Sequence, residues 1–257
     1  MQDRYVGDVG DFGKYGLLRK LISPQAGQRS LRLGVNWYKV PNESHNNDGG
    51  HVAYLRDESA QSGIRDCDPD LYDTLKGLVA KGRRTIAAIQ TSGILPDGTI
   101  FFDEPLSFSG TKSSERAAHR LNWMARAADA MADADVVFLD PDNGLEVRVP
   151  LFSQKGPKYA SMQDLRDHAD RGQSVVVYNH MSRQGSVNDQ IHRRLKELRD
   201  IAARGDDLFA LRYKRGTARA YLVIGRPDHL LLSRAEEFLR SRWAPHFDLV
   251  DLRATGR

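Results

Sequence analysis

Val136-Val137-Phe138-Leu139 is an apolar run that ends abruptly at Asp140-Pro141-Asp142-Asn143-Gly144, two carboxylates and an amide. A short β-branched and aromatic run bounded by Asp and Gly is typical of a buried parallel strand. Asp140 is the first residue past the C-terminal end of that strand, which is where open α/β sheets bind ligands. The alternative is an ordinary turn, since Asp, Pro, Asn and Gly each favour turns.

Strand-like and helix-like segments alternate on both sides of this run. The predicted strands are 31–37, 99–103, 136–139, 174–178, 208–213, 218–224 and 247–252, and the predicted helices are 11–22, 69–81, 113–131, 162–171, 189–203 and 233–242. Residues 85–89 fit either structure, and Asp11 and Asp68 are the predicted helix caps. The alternation predicts a single α/β domain over 1–257, a three-layer Rossmann-like sandwich with a mostly parallel central sheet and a C-terminal antiparallel hairpin at its edge.

Composition sets the broad class. The 257 residues are 40% hydrophobic and 28% charged, which suits a globular protein with one sizeable core. An apolar run of about 18 residues and a basic N-terminal leader are both missing, so we expect no membrane partner and a cytoplasmic location. The single Cys67 excludes an internal disulfide and a cysteine metal cage, and we expect a structural thiol rather than a nucleophile.

Polar side chains follow three of the predicted strands. Parallel strands deliver their C-terminal residues to one edge of a sheet, so these side chains are expected to converge. The candidate catalytic residues are Asn36, Asp140, Asp142 and His180, and the candidate substrate-binding residues are Tyr38, His45, Asn46, Asn47, Asp48, Asn143 and Ser182. The set offers amides, carboxylates, an imidazole and a phenol, without a serine elbow or a phosphate loop.

Two of these strand ends resemble motifs of the uracil-DNA glycosylase superfamily. Gly34-Val35-Asn36-Trp37-Tyr38 is similar to its first motif, with tryptophan where proline stands in the family, and His180-Met181-Ser182-Arg183 is similar to its second motif, again without the proline. The resemblance implies that Asn36 handles the attacking water, Tyr38 stacks on the base and His180 steadies the base as it leaves. The expected enzyme is therefore a DNA N-glycosylase that acts on a flipped base.

Asp140 stands where the resemblance places the residue that reads the flipped base. An ionised carboxylate can only accept hydrogen bonds, and the exocyclic amine of cytosine supplies the donor that it needs. The polar loop 42–51 leaves room for a substituent on the base. We therefore expect a modified cytosine-type base, such as phage DNA carries, and a role in phage defence.

A second family offers an alternative. Asp140-Pro141-Asp142-Asn143 is similar to the Asp/Asn-Pro-Pro-aromatic motif of adenine-N6 methyltransferases, and residues 7–14 resemble the start of the 23S rRNA adenine-N6 methyltransferases. The resemblance implies S-adenosylmethionine (SAM) as cofactor. The first strand has no Gly-x-Gly turn for SAM, however, and Asn143 replaces the stacking aromatic, which forfeits about 1–3 kcal/mol. We therefore expect glycosylase chemistry without a cofactor.

Basic residues crowd into the stretch 183–219 and suggest a nucleic-acid partner, DNA with RNA left open. The predicted phosphate contacts are Arg183, Arg193, Lys196, Arg215 and Arg219. The alternative is a solvated helix face with i,i+4 ion pairs. The oligomeric state is left open.

Two rival functions use the same residues. Asp140, Asp142 and Glu146 could hold Mg²⁺ in a nuclease with Lys155 or Lys158 beside it, and His45, Asp48 and His51 form a second acidic and imidazole group. Neither set has a recognised metal-ligand spacing, so no metal is expected. A nucleic-acid-binding module without catalysis is the other rival.

Overall fold

A seven-stranded mixed sheet with helices on both faces forms the body of the chain in the computed structural model, which describes residues 1–24, 29–44, 48–56, 63–147, 150–182 and 184–252. The helices are α1 (Val9–Ile22), α2 (Pro69–Ala80), α3 (Ile86–Gln90), α4 (Arg116–Ala130), α5 (Met162–Asp170), α6 (Val187–Leu198) and α7 (Leu231–Phe238). The strands are β1 (Leu33–Asn36), β2 (Ile100–Phe102), β3 (Val136–Leu139), β4 (Gly144–Leu145), β5 (Tyr159–Ala160), β6 (Ser174–His180), β7 (Asp207–Tyr213), β8 (Arg219–Gly225) and β9 (Phe247–Asp251).

The strand order is β2-β1-β3-β6-β8-β7-β9, and β4 and β5 form a separate parallel pair. Strands β1, β2, β3 and β6 are parallel, which confirms the Rossmann-like α/β class. The predicted C-terminal antiparallel hairpin is confirmed as β7–β8; β8 lies between β6 and β7, and β9 is the outermost strand of this antiparallel end of the sheet. Every residue of β8 is buried, because its side chains alternate between two hydrophobic cores that cover opposite faces of the sheet.

The helices begin where capping side chains allow them to. Asp8, and not Asp11, caps α1, since its side chain accepts a hydrogen bond from the Gly10 amide. Asp68 caps α2 as predicted, and the ambiguous residues 85–89 are mostly helix α3 behind a Thr85 cap. None of the described helices combines the length and apolar character needed to span a membrane.

Side chains along each strand alternate between two cores, one on each face of the sheet. On β3, Val136 and Phe138 belong to the core that contains α1, here called the α1 face, whereas Val137 and Leu139 belong to the core that contains α4, here called the α4 face. The same alternation aims Asp140 at the α1 face. This period of two determines which of the predicted site residues meet.

Helix α1 lies very close to the β7–β8 hairpin. A Cβ atom at Gly13 would be 2.6 Å from the ring of Tyr213, and one at Gly10 would overlap the Arg219 guanidinium. The two glycines therefore allow the first turns of α1 to pack against these side chains. The contact closes one side of the cavity described next.

Candidate active site

A cavity of about 270 Å³ lies at the C-terminal ends of β3 and β6, on the α1 face. Its volume is close to the lower end of the range for small-molecule sites, roughly 300–1,000 Å³. The first turns of α1, the 140–143 segment, the end of β6 and the start of β8 form its wall, and residues 48–51 contribute to the lining. The cavity thus occupies the sheet edge where the sequence predicts a site.

Lys14 is a buried cation shared by two carboxylates of this wall. Its Nζ lies 2.8 Å from Asp11 Oδ1 and 2.8 Å from Asp140 Oδ2, and its side chain is only 5% exposed. Burial would lower the pKa of Lys14, but the carboxylates of Asp11 and Asp140 raise it well above its usual value. Burial raises the pKa of Asp11, although Lys14 opposes that shift. Lys14 therefore stays charged at neutral pH and fixes the orientation of Asp140.

Asp140 offers one oxygen to the cavity. Its Oδ2 accepts the Lys14 hydrogen bond, and no residue in the described part of the chain donates to Oδ1. The residue is 3% exposed and lines the cavity. A carboxylate oxygen that faces a cavity without a protein donor is available to a ligand or to water. Asp140 is therefore placed to bind a hydrogen-bond donor.

Asp142 has a different environment, because both of its oxygens face the first residues of the chain. Oδ1 lies 2.9 Å from the Met1 nitrogen, and Oδ2 accepts a 2.6 Å hydrogen bond from Gln2 Nε2. Burial would raise the pKa of Asp142, but the Met1 amino group, the Gln2 hydrogen bond and Lys158 lower it. Asp142 thus anchors the N-terminal segment, and its predicted catalytic role stays a prediction.

Arg219 closes the opposite side of the cavity. Its Nε and Nη2 donate to the Thr217 carbonyl and hydroxyl at 3.1 and 2.7 Å, and Nη2 lies 3.8 Å from Asp8 Oδ1. Nη1 has no acceptor among the described residues. Because Arg219 is only 8% exposed, the prediction of a phosphate-binding surface residue is wrong for its position. It is a wall residue whose Nη1 packs against Gly10 of α1 and has no protein acceptor among the described residues.

Two residues of β6 complete the site. Tyr178 and His180 are two apart, so both side chains point to the α1 face, with Tyr178 half-buried and His180 exposed at the rim. Burial raises the pKa of Tyr178, with Arg219 opposing and Asp140 adding to the shift. The Tyr178 hydroxyl has no hydrogen-bond partner in the described part of the chain.

Asn36 and Tyr38 lie away from this cavity, which corrects their predicted convergence with Asp140. Asn36 is in register with Leu139, so its side chain points to the α4 face. Its Oδ1 accepts from the Tyr38 amide at 3.1 Å, and the Tyr38 hydroxyl donates to Asp164 Oδ2 at 2.8 Å. Both side chains are fully buried on the far side of the sheet, although β1 ends at the predicted edge.

The other candidate substrate-binding residues are divided. Asp48 and Asn143 line the cavity, whereas Ser182 is exposed and its hydroxyl donates to Gln190 Oε1 at 3.0 Å. His45, Asn46, Asn47 and the basic residue Arg183 lie outside the described residues.

The remaining basic residues do not form one surface with the cavity. Arg193 and Lys196 are exposed on α6, which packs on the α4 face. Arg215 is exposed in the β7–β8 turn at the cavity edge, and its Nε donates to His246 Nδ1 at 3.1 Å. Among the predicted phosphate contacts that lie in the described residues, Arg215 is exposed in the turn whose Thr217 lines the cavity.

Potential metal ligands are not clustered at the cavity in the described part of the chain. No group of three or more His, Cys, Asp or Glu side chains in the described residues could hold a metal ion, and Glu146 Oε1 instead accepts from the Met162 amide at 2.8 Å. At the end of β1, the Trp37 and Tyr38 side chains are fully buried.

Sequence reasoning overlooked Lys14 and Tyr178 as site residues and treated Asp8 and Asp11 only as part of a glycine-rich helix start. The Gly-Asp-x-Gly-Asp-x-x-Lys spacing was the available signal, since Asp8, Asp11 and Lys14 all line the cavity. No known protein family and no curated protein sequence matches this chain.

Proposed function

We propose that the protein is a nucleic-acid N-glycosylase, a hydrolase that cleaves the bond between a flipped base and its sugar without a cofactor. One observation supports this most: a cavity in which Asp140 Oδ1 and Arg219 Nη1, an acceptor and a donor, have no protein partner among the described residues. A base extruded from a duplex is read through hydrogen bonds to its polar edge in such a pocket.

The charges of the wall suit this reaction. As the glycosidic bond breaks, the bonding electrons leave with the base, which becomes negative, while the sugar becomes oxocarbenium-like. Arg219, a buried cation of the wall, stabilises the departing base, and Asp48 at the exposed rim stabilises the sugar. Water then adds its hydroxyl to the sugar carbon, and its proton passes through His180 at the rim to the base.

The partner we propose is DNA, with RNA as the alternative. A base in the cavity leaves its phosphates outside, where Arg215 is exposed in the β7–β8 turn. The other predicted phosphate contacts on α6, Arg193 and Lys196, lie on the opposite face of the sheet and would require a longer duplex footprint.

Methyl transfer is the second candidate. The two segments that resemble adenine-N6 methyltransferases, 7–14 and 140–143, meet at the same cavity, and Lys14 joins them through Asp140. The buried aromatic rings of Trp37 and Tyr38 at the end of β1 argue against it. A separate arm of the test below therefore supplies SAM with a labelled methyl group.

The test is incubation of the purified protein with DNA and RNA oligonucleotides containing plain or modified cytosine, without cofactor, followed by mass spectrometry of free base and detection of abasic sites. We expect base release by the wild type and a loss of about 10²–10³-fold in Asp140→Asn. Asp135→Asn is the matched control. Asp135 directly precedes β3, whereas Asp140 directly follows it, and the Asp135 side chain accepts a hydrogen bond from the Arg32 amide at the opposite end of the strand.

The control should keep wild-type activity. Lack of base release from every oligonucleotide would refute the glycosylase. Transfer of a labelled methyl group from SAM that Asp140→Asn abolishes would instead establish the second candidate.

A further inference from the structure

Three polar groups without protein partners follow one another across the sheet at the cavity. Asp140 follows β3, Tyr178 belongs to β6 and Arg219 begins β8, and these strands are adjacent in that order. The pairing of Leu139 with Val177 places Asp140 beside Tyr178. Arg219 pairs with His180, which is two residues beyond Tyr178 on β6. The Arg219 side chain therefore reaches the cavity from β8, on the side of β6 away from Asp140.

The three groups differ in hydrogen-bonding character. An ionised Asp140 Oδ1 can only accept, Arg219 Nη1 can only donate, and the Tyr178 hydroxyl can do either. Burial raises the pKa of Tyr178, so its hydroxyl keeps its proton at neutral pH. Across the sheet the wall therefore presents an acceptor, a group that adapts, and a donor.

We infer that the cavity selects a base whose polar edge has a donor at one end and an acceptor at the other, which means cytosine or guanine, and rejects uracil and thymine. Cytosine presents its amine to Asp140, its ring nitrogen to Tyr178 and its carbonyl to Arg219. Guanine matches in the reverse direction, with its amine on Asp140, its ring N–H on Tyr178 and its carbonyl on Arg219. This selectivity rests on the proposed function, since it names the base that the glycosylase would take.

Uracil and thymine fail at the Asp140 end. Both carry carbonyl oxygens at the two ends of the same edge, so either orientation sets a lone pair against Asp140 Oδ1. A buried acceptor facing another acceptor loses its hydrogen bond and its solvation together. Adenine has an amine for Asp140 but only a C–H at the end facing Arg219, so it should bind less tightly than cytosine.

Calorimetric titration with cytidine, guanosine and uridine 5′-monophosphates tests this selection without any bond cleavage. We expect the cytidine and guanosine nucleotides to bind about 10- to 100-fold more tightly than the uridine nucleotide. Asp140→Asn introduces an amide that can also donate, so the preference should shrink below threefold or reverse. Asp135→Asn should keep the wild-type preference.

Tyr178→Phe is the second variant in case Asp140→Asn does not fold, because the Tyr178 hydroxyl has no described partner to lose. We expect about a tenfold weaker affinity for the cytidine nucleotide. Circular dichroism checks that both variants are folded.

Four results would overturn the selection: no nucleotide binding, equal affinity for the cytidine and uridine nucleotides, an unchanged preference in Asp140→Asn, or an unchanged affinity for the cytidine nucleotide in Tyr178→Phe. Base release from oligonucleotides without preference for cytosine or guanine would overturn it while leaving the glycosylase in place. Selective nucleotide binding without base release would support the selectivity and refute the glycosylase.

Discussion

Replacing Lys14 by Met should destabilise the fold by about 3–5 kcal/mol, the usual cost of removing one partner of a buried ion pair. Lys14 neutralises Asp11 and Asp140 at 2.8 Å each, and all three side chains are 4–5% exposed. With a urea m-value of about 3 kcal/mol/M for a chain of this size, the unfolding midpoint should fall by about 1–1.7 M at pH 7. The measurement is urea unfolding followed by circular dichroism.

The loss in free energy of unfolding caused by Lys14→Met should become smaller as the pH falls. Burial already raises the pKa of Asp11, and loss of Lys14 removes the charge that opposes that shift. A carboxyl group whose pKa is raised by folding favours the folded state below its unfolded pKa, and that contribution is lost as the pH rises through the folded pKa. Unfolding at about pH 5 should therefore separate the variant from wild type by less than at pH 7.

Lys214→Met is the matched control for Lys14→Met. Lys214 also lies 2.8 Å from a carboxylate, that of Asp248, but the two side chains are 33% and 46% exposed. An exposed pair contributes at most about 1 kcal/mol, so the midpoint should move by less than about 0.3 M. An equally small shift for Lys14→Met would show that its ammonium group does not neutralise buried carboxylates.

Three further changes probe other regions. Gly13→Ala should lower the free energy of unfolding, measured by urea denaturation, by about 1–3 kcal/mol, because its Cβ would lie 2.6 Å from the Tyr213 ring. Gly77→Ala is its control and should raise the free energy of unfolding by about 0.5–1 kcal/mol, because no atom lies within 4 Å of the added Cβ. Arg215→Glu should weaken DNA binding and lower the slope of log affinity against log salt by about 0.9 in a titration series, and an unchanged slope would place the DNA elsewhere. Burial raises the pKa of Cys67 to about 11 from 9.0, so iodoacetamide at pH 8 should alkylate it about 100-fold more slowly than an ordinary thiol, and equal rates would contradict this environment.

The fold was largely predictable because the strands carry strong local signals. The run Val136–Leu139 is apolar on both faces, and it is the strand predicted from the sequence. The position of β8 was not predictable in the same way, since a hairpin pattern looks alike at the edge and in the interior. Its burial on both faces arises because Tyr221 and Val223 belong to the core of the α1 face, whereas Ala220, Leu222 and Ile224 belong to the core of the α4 face.

The site was predictable only to the level of the sheet edge. Parallel strand ends do bring Asn36, Asp140 and His180 to one edge, but the period of two along each strand puts Asn36 on the opposite face. The buried position of Arg219 had no local signal at all. It arises because Gly10, which is 209 residues earlier, leaves space for the guanidinium group.

The charges of the cavity fix how a nucleotide would enter it. Five carboxylate side chains line it in the described part of the chain, those of Asp8, Asp11, Asp48, Asp140 and Asp142, against the two cationic side chains of Lys14 and Arg219. A phosphodiester group would be repelled by this excess of negative charge, whereas a neutral base would not. The base must then point inward and the phosphates outward, toward the exposed turn that carries Arg215. This orientation also brings the sugar to the acidic rim, where negative charge favours the positive charge that develops as the glycosidic bond breaks.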